Sequence, residues 1–365
     1  MELEKRINLL MATISSSTRY EDVVCLLFGI ETKAPYNHTI TTMIPEISAR
    51  LNTGLIPNET GIEYSVVIPT YNRKKSLMRA IKSLMRQTEF EKSSYEIIVV
   101  DDCSADGTAD EMRSFMAGRD SGPAIAYFKL SKNSGPAIAR NLGIINARGS
   151  YVAFTDDDCA VPPDWLSNFK KAFKKHPELA GAGGWKELGA KEDIMKTDIY
   201  ERFLFWKKHP NMQREWRSET FDLFNQCGDT ANVCYQKKIL LDLEGFNPFM
   251  RRFGHWELKV RIHKKRLPLL YHLNHVRHFS EKNLKDFIHT WLKSGWGFYL
   301  VSLIHPDFYR YKYSFKRALD GIKRDARRLF FDPDNTPYMA GGDRLIFFIL
   351  AVWANMLLWL GRYRP

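Results

Sequence analysis

The sequence predicts an α/β fold built on a doubly wound, mostly parallel sheet, and three observations carry that prediction. Apolar, β-branched runs alternate with stretches whose apolar residues recur at three- and four-residue steps. Turn-forming residues bound the runs. Acidic residues collect just beyond their ends. Strands and helices of these lengths imply right-handed crossovers, and the ligand crevice of such a sheet lies outside the carboxyl ends of its strands.

Ser65-Val66-Val67-Ile68-Pro69-Thr70 is a β-branched run stopped by proline, as expected of a buried parallel strand. In the helix expected next, Leu77, Ala80, Ile81, Leu84 and Met85 line one face, with Lys and Arg between them. Tyr95-Glu96-Ile97-Ile98-Val99-Val100 is a second strand ending on Asp101-Asp102, and Ser104-Ala105-Asp106-Gly107-Thr108 turns into another helix. A third strand fits Ala124 to Leu130. Pro136, a residue favoured at the first helical position, opens a helix carrying Ala139, Leu142, Gly143 and Ile145. The fourth strand, Tyr151 to Phe154, runs into Asp156-Asp157-Asp158, and a further helix begins near Asp164.

Three adjacent carboxylates repel one another, so a fold tolerates them where a cation or hydrogen-bond donors compensate them. Alone, the triplet reads as a solvated turn. In line with Pro69-Thr70 and Asp101-Asp102 at neighbouring strand ends, it reads as a ligand site. A carboxylate there can accept from a base or ribose, and two acids spaced i and i+2 can address a hydroxyl and a divalent cation together. A nucleoside diphosphate requires that combination. Neither G-x-x-x-x-G-K-[ST] nor G-x-G-x-x-G follows the first strand, so a P-loop kinase and a dinucleotide oxidoreductase lack their phosphate grip, and a metal is left to supply it.

The 365 residues suit one catalytic domain with appendages. Lys and Arg outnumber Asp and Glu by 54 to 42, a formal +12 that suits nucleic acid, anionic lipid or phosphorylated substrates. Cys25, Cys103, Cys159, Cys227 and Cys234 are odd in number and contain no C-x-x-C pair, which argues against a disulfide framework or a zinc ribbon and points to a reducing compartment. The first residues, Met1-Glu2-Leu3-Glu4-Lys5-Arg6, do not lead into an export signal, and Val23 to Ile30 is far short of the ~20 residues needed to span a bilayer. Residues 1–62 read as an appendage of unknown role.

Val66 to Asn72 (VVIPTYN), Val100 to Gly107 (VDDCSADG), Ala139-Arg140-Asn141 and the acidic triplet resemble the family 2 glycosyltransferases of the GT-A fold in order and spacing. The resemblance continues through Trp165, Gly181 to Gly184, Ala231-Asn232-Val233-Cys234-Tyr235 and Glu244-Gly245-Phe246-Asn247, and more weakly to His278 and Gly295. It implies a transferase domain over residues 63–300, with a nucleotide-binding half at 63–160 and an acceptor half at 161–300. Pro69, Tyr71 and Asp102 are expected at the nucleotide base, Arg140 at the base or diphosphate and Asp156 on the ribose. Asp158 is expected on Mg2+ or Mn2+, with His278 a further ligand. The implied reaction is an inverting displacement, in which a base deprotonates an acceptor hydroxyl and the metal stabilises the departing diphosphate.

The family draws its base from an acidic pair, roughly E-D-x-E/D-L-x-x-R-L, where this chain reads Gly254-His255-Trp256-Glu257-Leu258-Lys259-Val260-Arg261-Ile262. Two bases stay open, His255, whose imidazole can act near neutral pH, and Glu257 after a small shift in register. Loss of both acids would also suit an inactive, nucleotide-binding relative. The other histidines read as surface or packing residues, with His275 and His278 on opposite faces of an extended segment. Trp185 and Trp256 read as packing residues that could also stack on an acceptor.

Residues 301–365 change character. Phe315, Ala318-Leu319, Ile322, Ala326 and Leu329-Phe330 mark an apolar helical face against Lys316, Arg317, Lys323, Arg324, Arg327 and Arg328, as in helices lying on anionic membranes. Leu345 to Gly361 is almost wholly apolar, carries Trp353 and Trp359, and reads as a membrane-inserted or interfacial helix. The expected partners are a nucleotide-sugar donor, a glycan or lipid-linked acceptor and an anionic membrane surface. A domain fed by such donors is expected on the cytoplasmic face of the cell membrane, in polysaccharide biosynthesis. The basic residues concentrate near this apolar helix, and neither a zinc finger nor an RRM signature accompanies them, so nucleic acid is not an expected partner.

Overall fold

A computed structural model describes residues 47–52, 61–187, 199–208, 220–221, 229–279, 284–306, 315–331 and 343–361. Most of the appendage at 1–62, including Val23 to Ile30, lies outside them. The chain divides into two compact units, one drawn from residues 40–196 and 211–281, the other from 197–210 and 282–365. A short helix from the middle of the chain groups with the C-terminal segment.

The first unit is an α/β sheet in the order β1 (Ile47–Asn52), β4 (Ala124–Leu130), β3 (Tyr95–Asp101), β2 (Tyr64–Thr70), β5 (Tyr151–Phe154), β9 (Val233–Gln236), β7 (Gly181–Glu187), β10 (Leu269–His278) and β6 (Cys159–Ala160). Its centre is β2 (Tyr64–Thr70), β3 (Tyr95–Asp101), β4 (Ala124–Leu130) and β5 (Tyr151–Phe154), all mutually parallel as predicted. The crossover helices are α1 (Lys74–Leu84), α2 (Thr108–Ala117) and α3 (Pro136–Asn146). Alternate strand residues feed two separate cores, Val66, Ile68, Ile97 and Val99 into one and Val67, Ile98, Val100 and Phe154 into the other. That period-two division is why helices cover both faces. α3 lies so close that a Cβ on Gly143 would come within 2.3 Å of Val67 Cγ1, so only glycine fits there.

Beyond β5 the sheet becomes mixed. β9 (Val233–Gln236) inserts antiparallel between β5 and β7 (Gly181–Glu187), and β10 (Leu269–His278) pairs parallel with β7. The two-residue β6 (Cys159–Ala160) pairs antiparallel with the end of β10, β8 (Thr220–Phe221) with its start, and β1 (Ile47–Asn52) with β4. β1 falls inside the segment that the sequence left without a role. α4 (Trp165–Lys175), α6 (Lys237–Asp242) and α7 (Gly254–Lys264) complete the unit.

The second unit is helical, comprising α5 (Ile199–Lys208), α8 (Leu284–Ile304), α9 (Phe315–Phe331) and α10 (Asp343–Gly361). Its core joins Phe203, Trp206, Phe287, Trp291, Leu329, Phe347, Leu350, Ala351, Ala354 and Leu358. The last five α10 positions follow helical spacing, so one face of that apolar helix is buried against its own unit. The other face exposes Leu345, Ile346, Ile349, Trp353 and Leu360.

Candidate active site

Strand register builds the site. Thr70 pairs with Asp101, so β2 and β3 end level, while β5 stops opposite Val67 and its acidic extension passes over the end of β2. Thr70 Oγ1 donates to Asp157 Oδ2 at 2.8 Å across that step. The loops are fastened to one another: Asn72, in the left-handed region at φ 52°, donates its N–H to Ser104 Oγ and accepts from Ala105 N through Oδ1, each at 2.8 Å. This polar lacing presents Tyr71 and Arg73 at the mouth of β2, where Tyr71 is exposed.

The three acids are held differently. Asp156 accepts from Arg140 Nη2 at 2.8 Å. Asp157 accepts from Thr70 and from Arg73 Nη1 at 3.1 Å; burial and the Asp158 charge push its carboxyl up to about 6, against the pull of Arg73. Asp158 takes the same Arg73 Nη1 on Oδ2 at 2.6 Å and faces His278 Nε2 across 3.4 Å from Oδ1. Burial alone would raise Asp158, yet His278 and Arg73 hold it below the usual carboxylate range. Three carboxylates thus share two guanidinium groups and the His278 imidazole.

His278 reaches Asp158 because β6 pairs with β10: His278 stands opposite Cys159, and Phe279 N donates to Asp158 O at 2.7 Å. Asp158, Cys159 and His278 bring ligand atoms within 4.8 Å of one another. Burial and the neighbouring Asp158 push the Cys159 thiol well above its ordinary value, so without a cation the carboxylate oxygen and the imidazole nitrogen are the readier donors. A carboxylate and an imidazole together suit a divalent cation.

Asp102 is buried, and both its oxygens accept backbone amides, Ser134 N at 2.6 Å and Gly135 N at 2.8 Å. Burial raises its carboxyl, and those amides offset the shift. Its evident work is to tie the end of β3 to the entry of α3. Pro69 lies in β2 opposite Val100. Arg140 is carried on α3 above the Phe246 ring, 5.8 Å from its centroid.

His255 and Glu257 lie in the first turn of α7 but in opposite settings. Glu257 is fully buried, and Arg261 holds both its oxygens at 2.7–3.1 Å. The same guanidinium donates to the carbonyls of Leu243 and Gly245. Asn141 in turn locks Phe246 through both ends of its amide, at 2.7 and 2.8 Å. Glu257 therefore anchors a chain of contacts leading to the helix of Arg140, a setting that suits a positioning group rather than a base. His255 is partly buried beside Phe253; burial, then Lys259, lower its imidazole to about 3, with Asp229, Arg140 and Lys186 also in electrostatic reach.

Sequence reasoning passed over Arg73, Lys186 and Asp229. Lys186 leaves β7 to pair with Asp229 at 2.6 Å, and although burial alone would lower it, Asp229 keeps it charged. Arg73 stands directly after Tyr71-Asn72 and just before α1, and nothing in its spacing sets it apart from the basic residues that follow. Nothing local marks Lys186 or Asp229.

Residues 65–238 match the family model described as "Glycosyl transferase family 2". Among curated relatives, WcaA of Escherichia coli K12, named for colanic acid biosynthesis, is 37% identical over 153 residues, 40% of this chain and 53% of that protein. The succinoglycan biosynthesis protein ExoO of Rhizobium meliloti is 38% identical over 136 residues, 37% of this chain and 35% of that one. The chain thus spans about half or less of the length of these two relatives. A solved mannosyltransferase from Pyrobaculum calidifontis, in complex with GDP-mannose and Mn2+, aligns with a TM-score of 0.55 at 13% identity, covering 84% of this chain and 88% of its own. At that identity the likeness is one of fold.

Proposed function

We propose that residues 65–238, which match the model of family 2 glycosyl transferases, form a glycosyltransferase domain, and that the chain transfers a sugar, with inversion, from a nucleoside-diphosphate sugar to a hydroxyl of a glycan or lipid-linked acceptor. The observation that carries this reading is the convergence of Asp156–Arg140 and Asp158–His278 over the ends of β2 and β5. In it, Pro69, Tyr71 and Asp102 border the base, Arg140 and Asp156 hold the ribose and diphosphate side, and Asp158 with His278 would hold a divalent cation. That cation, when bound, neutralises charge developing on the leaving diphosphate.

His255 is the proposed base. Burial keeps its imidazole neutral but only weakly basic, and an anionic donor beside it would raise its basicity toward the neutral range that a general base needs. The helical unit supplies the proposed seat on the cytoplasmic membrane face. α10 is long and apolar enough to cross a membrane, and α9 exposes Lys316, Arg317, Lys323, Arg324 and Arg327.

A nucleotide-sugar panel with Mn2+ tests the activity: turnover that Asp158→Ala and His255→Ala both abolish is expected. Absence of metal-dependent turnover with every common donor would favour the inactive relative. Co-sedimentation tests the seat, with anionic vesicles expected to outcompete oligonucleotides at rising salt. Preferential oligonucleotide binding would overturn it.

A further inference from the structure

Arg73 occupies a position that the proposed transfer does not by itself require. One nitrogen, Nη1, bridges two adjacent acids, Asp157 Oδ1 at 3.1 Å and Asp158 Oδ2 at 2.6 Å. Asp157 uses its other oxygen on Thr70, and Asp158 turns its other oxygen toward His278. The guanidinium therefore neutralises the very carboxylate that would ligate a cation. Yet the Arg73 side chain is 51% exposed while Asp157 and Asp158 are buried. A long, half-exposed side chain at the start of α1 can leave its partners without disturbing the core.

We propose that Arg73 is an internal counter-cation for Asp157 and Asp158, one that a divalent cation must displace and that then moves onto the diphosphate of the incoming donor. The inference rests on the reading of Asp158 as a metal ligand. Two like charges drawn to one carboxylate compete, so Arg73 weakens binding of the cation alone. An arriving diphosphate offers a fork-shaped partner of higher charge and releases that competition. Cation and diphosphate then bind with positive coupling, each raising the affinity of the other by the same factor. Arg73 is thus a positioning residue that keeps the acidic pair assembled between turnovers and makes metal loading conditional on donor.

The test is Mn2+ binding to the full chain, read from the paramagnetic resonance signal of free Mn2+, followed by calorimetric titration of pyrophosphate onto the Mn2+-loaded protein. In Arg73→Gln, Mn2+ alone is expected to bind about tenfold more tightly than in wild type, about 1.4 kcal/mol. Pyrophosphate is expected to bind the loaded variant about tenfold more weakly. Arg73→Lys, which keeps the charge, is expected to stay near wild type for Mn2+ alone. Arg73→Met gives the same reading as the glutamine variant should the latter fail to fold. Unchanged or weaker Mn2+ binding in the uncharged variants overturns the inference. Asp158→Asn separates the two levels: if it binds Mn2+ as wild type does, the metal assignment itself falls, whereas if it loses Mn2+ while Arg73→Gln is unchanged, only the role of Arg73 does.

Discussion

The helical unit and the strand-end crevice of the α/β unit treat buried carboxylates in opposite ways. In the helical unit, Asp325 is closed off by Lys207 and by Asn355 Nδ2 at 2.9 Å, and Asp343 by Arg202, with each side chain at most 15% exposed. Each of these four charges has a partner of opposite sign and little exposure to solvent. In the α/β unit, Asp156, Asp157 and Asp158 share two guanidinium groups, one of them half exposed, and Asp157 is pushed up to about 6 by burial and the neighbouring Asp158 charge. Saturated charge holds a bundle together. Unsaturated charge at a strand-end crevice is free to hold something else.

Substitutions can break this contrast from either side. The largest effect is expected at Asp325→Asn, which strands the Lys207 ammonium in the bundle. Chemical denaturation should show a loss of about 3–5 kcal/mol, and a loss below about 1 kcal/mol would deny that this cluster is structural. Asp158→Asn should do the reverse, lowering metal-dependent turnover by at least about 100-fold while moving the unfolding midpoint by only a few degrees. Glu257→Gln should cost about 2–3 kcal/mol, because Arg261 keeps its carbonyl partners but loses the buried carboxylate. Transfer should weaken with stability there, and a variant that unfolds normally yet loses all activity would return Glu257 to the role of base.

The smallest effect carries a sign. The Asp157 carboxyl titrates higher in the folded chain than the ordinary 3.8, so ionising it opposes folding above about pH 6. That penalty fades as pH falls through about 6 and is gone below the unfolded value. Asp157→Asn should therefore be more stable than wild type at pH 8, with an advantage that shrinks toward pH 4. An advantage that grew on acidification would mean that the carboxylate is stabilised as an anion.

Much of the nucleotide half was legible in the residues. β2 through β5 and the helix opening at Pro136 follow from β-branched runs, helical spacing and a proline at the first helical position, all of them local signals. Asp102, Arg140 and Asp156 to Asp158 stand out because they fall at strand ends or in runs with recognisable spacing. The second half of the sheet was harder to read, since β6 and β8 are two residues long and β9 four, too short for periodicity to register.

What packing alone decided concerns partners far apart in the chain. A two-residue pairing of β6 with β10 sets His278 against Asp158, and no pattern in either segment announces it. The same holds for Lys186 with Asp229 and for Arg73 across two acids more than eighty residues away. Propensity and spacing act over a few residues, so they fix which elements form and which acids end up at strand ends. Whether an acid there becomes a ligand, a tether or an anchor depends on which cation the register delivers to it, and only the assembled sheet sets that register.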